Sequence, residues 1–165
     1  MSEKFILDAC CSGREFWFNK KHPNTLYIDI RKEESGFLKQ RKNFNVQPDK
    51  IMDFRDMDFP DKSFKLVVWD PPHMKTLGKT SIFAKRYGCL NAQTYPYDLR
   101  KGFEECWRVL EDYGVLIFKW NETEISRKEV LSFFKEKPLF GHPINSRNNK
   151  THWFCFMNIP VRGEK

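Results

Sequence analysis

Six short apolar runs recur along the chain, each bounded by turn-forming or charged residues, and they read as strands buried on both faces. Lys4–Cys10 (KFILDAC) is the first, and Thr25–Ile30 (TLYIDI) follows the turn residues His22-Pro23-Asn24. Lys50–Phe54 repeats the form more weakly, while Phe64–Asp70 (FKLVVWD) is the clearest and is stopped by Pro71-Pro72. Val115–Trp120 follows the turn Asp112-Tyr113-Gly114, and His152–Ile159 is the last. Helical spacing lies between them. Leu99, Phe103, Cys106, Trp107 and Leu110 predict a helix over Asp98–Leu110, and Ile125, Val130, Leu131 and Phe134 predict one over Glu124–Lys135, ended by Pro138. A short helix is read over Gly13–Lys20, and the polar stretch Arg31–Asp49 has room for one around Leu38. Strands alternating with helices predict an α/β sandwich with a mostly parallel sheet. No repeat, low-complexity tract or linker interrupts the pattern, so residues 1–165 read as a single domain.

Composition narrows this further. A length of 165 residues suits one domain of the usual ~100–200. The longest unbroken apolar run, Trp153–Met157, is five residues, against the ~20 a membrane-spanning helix needs, so no membrane partner is expected. Met1-Ser2-Glu3-Lys4 leads straight into the first strand without an apolar leader. Five cysteines, an odd number with Cys10 and Cys11 adjacent and no CxxC pair, argue against a disulfide framework and a structural metal. Reduced thiols in a cytoplasmic protein are the expectation. Lys and Arg number 29 against 22 Asp and Glu, a net charge of +7 that disfavours a cationic partner and suits a polyanion.

Chemistry concentrates where the strands end. The first runs into Asp8-Ala9-Cys10-Cys11-Ser12-Gly13-Arg14, a turn of small residues that lets a ligand approach the backbone. Asp29 closes the second strand, where a carboxylate can accept both hydroxyls of a ribose. Asp53-Phe54 closes the third, with one hydrogen-bonding group and one apolar face for an adenine. A single aspartate there could equally be a helix cap; three in order point to an adenosine-bearing cofactor. At the end of the fourth strand stands Asp70-Pro71-Pro72-His73. Two prolines donate no hydrogen bond, which leaves their carbonyls free to accept. Asp70 and the Pro71 carbonyl can therefore hold both hydrogens of an amino group and aim its lone pair at an electrophile, with the His73 imidazole able to stack on a base. The other reading of this segment is a strand terminator with a buried capping aspartate.

The succession DACCSG, YIDI, MDFRDMDFPDKSFKLVV, DPPH and WRVLEDYGVLIFKW resembles the class I S-adenosylmethionine-dependent methyltransferases over roughly Lys4 to Met157. More narrowly it is similar to small methyltransferases of phages and prophages. The resemblance implies a Rossmann-like α/β domain with a mixed, mostly parallel seven-stranded sheet and helices on both faces. The seventh strand is expected from the resemblance alone. It also implies S-adenosyl-L-methionine as cofactor: Asp8, Cys10, Ser12 and Gly13 would line its methionine end, Asp29 and Ile30 its ribose and adenine, and Asp53 and Phe54 the far side of the adenine. Asp70, Pro71 and Pro72 match the (D/N)PP(Y/F/W) motif of amino-methyltransferases acting on adenine N6 in DNA or RNA, with His73 in the aromatic place. Two departures stand out. Only Gly13 remains of the two or three glycines usual in the first motif, with Ser12 and Arg14 at glycine places, a substitution that is easy for Ser12 if its backbone angles are ordinary. Histidine for an aromatic also introduces a group that titrates near neutral pH.

Between the fourth strand and the long helix, Met74–Tyr97 shows no sustained period, and loops of such length are often functional. Lys75, Lys79, Lys85, Arg86 and Tyr87 in it are the expected contacts to a nucleic-acid substrate, cations on phosphate and rings on bases. A lid folding its aromatics inward is the alternative. The sequence expectation is methyl transfer to an exocyclic amine of a DNA or RNA base, adenine N6 first. The alternatives are a methyltransferase of a small molecule or protein side chain, and a non-catalytic module that kept the fold.

Overall fold

The computed structural model describes residues 4–78, 80–141 and 150–160; Lys79, His142 and Arg147 fall outside them. Its sheet has seven strands: β1 Ile6–Asp8, β2 Thr25–Asp29, β3 Lys50–Ile51, β4 Phe64–Trp69, β5 Leu110–Asn121, β6 Phe140–Gly141 and β7 Thr151–Met157. The spatial order is β3-β2-β1-β4-β5-β7-β6. The first five are mutually parallel, and β7 runs antiparallel to β5 and β6. Chain direction therefore reverses its drift across the sheet between β1 and β4. In an open α/β sheet this switch point is where strand ends diverge and leave a crevice.

Three helices occur among the described residues: α1 Ile82–Tyr87, α2 Tyr95–Arg108 and α3 Arg127–Ser132. The α2 helix starts three residues earlier than its apolar spacing predicts, because Pro96 sits in the first turn, where its missing N–H costs nothing. It keeps Gly102 at its centre for packing. A Cβ there would lie 2.5 Å from the Phe54 ring and 2.7 Å from Trp69. Ser126 caps α3 by accepting from Glu129 N at 3.1 Å. The predicted turn at Asp112-Tyr113-Gly114 lies inside β5, where pairing with β4 jumps from Phe64–Leu110 to Leu66–Val115 and Tyr113 takes φ 62°.

The two faces of the sheet are covered differently. Leu116, Phe118 and Trp120 of β5 and Phe154 and Phe156 of β7 are buried, and Phe103 of α2 stacks on Phe134 (4.2 Å) against Phe118 and Phe156. On the opposite face Trp17 meets Tyr27 of β2 edge-on and Phe16 meets Trp153 of β7. Those rings belong to the stretch expected to be the helix Gly13–Lys20, which is instead a series of turns, as is residues 31–49 around Leu38. Helices on both faces are thus not confirmed among the described residues. Phe16 and Trp17 are adjacent, so in a helix they would point about 100° apart; turns let both reach the sheet.

The stretch Asp53–Val68 owes its recurrent pattern to architecture. Arg108, at the end of α2, donates to the carbonyls of Met57 and Phe59 at 2.9 and 2.7 Å and pairs with Asp61 and Glu105. Glu105 in turn accepts from Met57 N at 2.9 Å. These bonds staple the approach to β4, and with it the position of Asp70.

Candidate active site

The turn after β1 and the segment after β4 wall one cavity of about 610 Å³ at the switch point. Cys10, Ser12 and Gly13 line one side, and Asp70, Pro71 and His73 the other. Arg86 and Tyr87, at the end of α1, and Lys119 of β5 complete the wall. Cys10, Ser12 and Gly13 therefore share a cavity with the Asp70 segment. The fully buried Asp8 serves the turn instead. Its carboxylate accepts from Trp17 Nε1 at 2.7 Å and from Cys10 N at 3.2 Å. Burial, with Asp70 and Asp29 nearby, raises its pKa to about 7 against the hydrogen bonds from Trp17 and Cys10. Burial likewise pushes the Cys10 and Cys11 thiols up, so both stay protonated and pack as small side chains.

Ser12 and Arg14 carry φ of 42° and 52°, the left-handed region that glycine adopts freely. The easy substitution at Ser12 is thus not realised, since its backbone kept the glycine geometry. Such a residue costs about 1–3 kcal/mol that the surroundings must offset. Here Ser12 N donates to Asp29 at 2.9 Å and Ser12 Oγ to the Arg86 carbonyl at 2.7 Å, while Arg14 donates to the carbonyls of Lys20 and Gln47, each at 2.6 Å.

Asp29 is buried at the end of β2, where the ribose of a cofactor was expected. Its carboxylate also accepts from Arg31 N (3.0 Å) and Arg31 Nε (3.3 Å). The Arg31 guanidinium reaches on to the carbonyls of Lys85 and Arg86 at 2.7 and 3.1 Å, latching α1 over this strand end. Ile30 is exposed and does not line the cavity. Asp53 pairs with Arg55 at 2.6 Å, which bridges to Asp98 of α2 at 2.8 Å. Burial raises the Asp53 pKa, but the Arg55 hydrogen bonds and charge outweigh it and hold the carboxyl below its ordinary range. Phe54 turns inward onto Trp69. Neither Asp53 nor Phe54 lines the cavity.

Asp70 faces Lys119, whose ammonium donates to Oδ2 at 2.5 Å. Burial raises the Asp70 pKa, opposed by that ammonium. Lys119 also lies over the Phe16 and Trp153 rings, at 5.7 and 5.8 Å. Only the parallel pairing of β4 with β5, which sets Trp69 beside Phe118, puts the two charges next to each other. His73 lies edge-on to Trp120 (6.3 Å), and burial followed by Lys119 lowers its pKa, so the imidazole is neutral at neutral pH. Pro72 packs on Gly88 outside the cavity. Glu124 accepts from the backbone N of Lys75 and Thr76 at 2.7 and 3.2 Å, fixing the exit of this segment.

The loop cations divide. Arg86 pairs with Glu15, which Tyr87 OH also approaches at 3.3 Å. Lys75 sits over the Tyr95 ring at 4.4 Å, and Lys85 is exposed. Lys79 lies outside the described residues.

No protein-family profile matches the chain, and no curated protein matches it in sequence. Solved structures do match in fold. An rRNA methylase from Streptococcus thermophilus superposes with a TM-score of 0.57 at 12% identity, over 96% of this chain and 89% of that one. A protein from Pyrococcus horikoshii gives 0.57 at 16%, over 96% and 83%. A SAM-dependent methyltransferase from Methanosarcina mazei gives 0.53 at 13%, over 96% and 94%. The fold is that of the S-adenosylmethionine-dependent methyltransferases, a mixed seven-stranded Rossmann-like sheet. Among the described residues no helix is long and apolar enough to cross a membrane, and no cluster of metal-ligating side chains occurs.

Proposed function

We propose that the chain transfers a methyl group from S-adenosylmethionine to an exocyclic amine of a nucleic-acid base, adenine N6 first. The supporting observation is the shared cavity in which Asp70, Pro71 and His73 face the small-residue turn Cys10–Gly13. That turn suits the methionine end of the cofactor. Asp29, buried and not itself in the cavity wall, reaches the ribose end only if the Arg31 guanidinium turns away from it. The cofactor supplies an electrophilic methyl group. Asp70 and the Pro71 carbonyl would accept hydrogen bonds from the two amine N–H groups, orient the nitrogen lone pair, and stabilise the positive charge that develops on nitrogen as the N–C bond forms and the methyl–sulfur bond breaks, the cofactor leaving as a neutral thioether and the nitrogen then losing one proton to solvent. Lys119 opposes the upward push of burial on the Asp70 carboxyl, and neutral His73 offers a flat edge to the base. No covalent enzyme intermediate is required. A target adenine in a duplex has to leave the stack to reach the cavity.

The test is transfer of labelled methyl to DNA, RNA and peptide pools, with calorimetry of cofactor binding alongside. Label in nucleic acid, lost in Asp70→Ala with cofactor affinity retained, is the expected result. Label in peptides alone removes the base-amine reading, and no binding at millimolar cofactor removes the enzyme reading. A second reading, a fold retained for binding without turnover, is favoured by Ser12 and Arg14 at glycine places and by the engagement of Asp29 with Arg31; bound cofactor with no transfer to any pool distinguishes it.

A further inference from the structure

A second concavity, of about 1040 Å³, opens on the side of the sheet where turns replace helices. Its walls are the turn-rich segments 13–23 and 40–49, and Lys4, Thr25 and Tyr27 close it below. Arg14 is the spacer between the walls. Its guanidinium lies 3.7 Å over the Tyr27 ring and hydrogen-bonds the Lys20 carbonyl on one wall and the Gln47 carbonyl on the other. A helix packed on β2 would fill this space; the left-handed backbone at Arg14 holds it open.

The lining is strongly basic. Lys4, Arg14, Lys20, Lys21, Arg41 and Lys42 face Glu15 and Asp49, six cations against two anions. Part of that charge is committed: Lys4 and Arg14 to Asp49, Arg41 to Glu15, and Lys20 to the Gly13 carbonyl. Lys21 and Lys42 are exposed and have no side-chain partner among the described residues. On the site loop Arg86 is paired, Lys75 lies on a ring and Lys85 is exposed. Ser12, Gly13 and Glu15 line both concavities, so the turn after β1 walls the groove on one side and the cavity holding Asp70 on the other.

Resting on the nucleic-acid reading of the preceding section, we propose that this groove binds the sugar–phosphate backbone flanking the target base. A channel with a surplus of four positive charges in its lining attracts a polyanion and binds it with strong salt dependence. Tyr27, the aromatic ring at its floor, is covered by Arg14, so no exposed face there stacks bases. The groove reads backbone, and base recognition is left to the cavity.

The experiment uses the full chain and fluorescein-labelled 20-nucleotide single-stranded RNA and DNA, followed by anisotropy between about 50 and 200 mM salt. Compared with wild type are the double variant Lys21→Glu/Lys42→Glu and a control, Lys65→Glu, on an exposed position of β4. Thermal melting checks folding, and calorimetry checks cofactor binding. The double variant is expected to bind at least tenfold more weakly at low salt with a slope of log K on log salt reduced by about 1.4, with melting and cofactor affinity unchanged. Binding and slope equal to wild type overturn the proposal, as does wild-type chain that binds neither polymer. Polyglutamate competing as well as RNA at equal charge overturns the commitment to nucleic acid. The two readings fail separately. Groove-dependent binding without methyl transfer keeps the groove and removes the enzyme. Nucleic-acid methylation unaffected by the double variant does the reverse.

Discussion

Asp8 makes stability depend on pH in a direction unusual for an aspartate. It closes β1 between Asp29 of β2 and Asp70 of β4, with no exposure to solvent. Burial first, then these two neighbours, raise its pKa from 3.8 to about 7. A raised folded-state pKa means that the native protein binds the proton more tightly than the unfolded chain. The associated stability is therefore complete below about pH 4 and is lost as pH rises toward 7. Between about pH 5 and 7 the native Asp8 is largely protonated and the unfolded one ionised, so stability falls by about 1.4 kcal/mol per pH unit. The loss over that interval is about 2 kcal/mol, because the native group is half ionised by pH 7, and it levels off above it. Urea unfolding of wild type and Asp8→Asn at intervals from pH 5 to 8 isolates this term. The amide has one acceptor for two donors, Trp17 Nε1 and Cys10 N, which costs the variant about 1 kcal/mol at every pH. His73, with its lowered pKa, titrates in both proteins and cancels in the difference. The expected signature is a wild-type curve that descends relative to the variant's up to pH 7 and then runs parallel. Curves parallel across the whole range would refute the reasoning.

Three further outcomes follow from single contacts. Gly13→Ala places a Cβ 2.3 Å from Phe44 Cε2, whose ring is buried with Leu38 and Val46, and is expected to lower stability by about 1–3 kcal/mol in urea unfolding, partly restored by Phe44→Leu. Arg31→Ala removes the guanidinium from Asp29 and two of the bonds latching α1; calorimetry is expected to show S-adenosylmethionine binding of the order of tenfold tighter, and weaker binding would make Arg31 a ligand contact rather than a latch. Lys119→Met takes the opposing charge from beside Asp70, whose pKa burial already raises. The acid limb of the methyl-transfer rate profile is then expected to move up by about 1–3 pH units. An unmoved limb would remove the Lys119–Asp70 pair from the proposed chemistry.

What was legible in the sequence, and what was not, divides by the range of the forces involved. The apolar runs, their closing aspartates and the Pro71-Pro72 stop are properties of contiguous residues, so strands β1, β2, β4, β5 and β7 lie where the hydrophobic pattern put them. The meeting of the Cys10–Gly13 turn with Asp70 was legible one level up, because parallel strands bring their ends to the same rim. Three things depended on partners distant in sequence. Gly13–Lys20 is turns because Phe16 and Trp17 find Trp153 and Tyr27 on the sheet, burial that outweighs local helical preference. Asp29 and Asp53 end strands as read, but Arg31 and Arg55 claim their carboxylates, and such pairing is decided by which guanidinium the fold brings near. Lys119 became part of the site only through the register of β5 on β4. Net charge was a property of composition alone. That six of its cations line the groove beside Arg14 was decided by the tertiary structure, because two turn-rich segments had to fold against β2 before their cations could face one another.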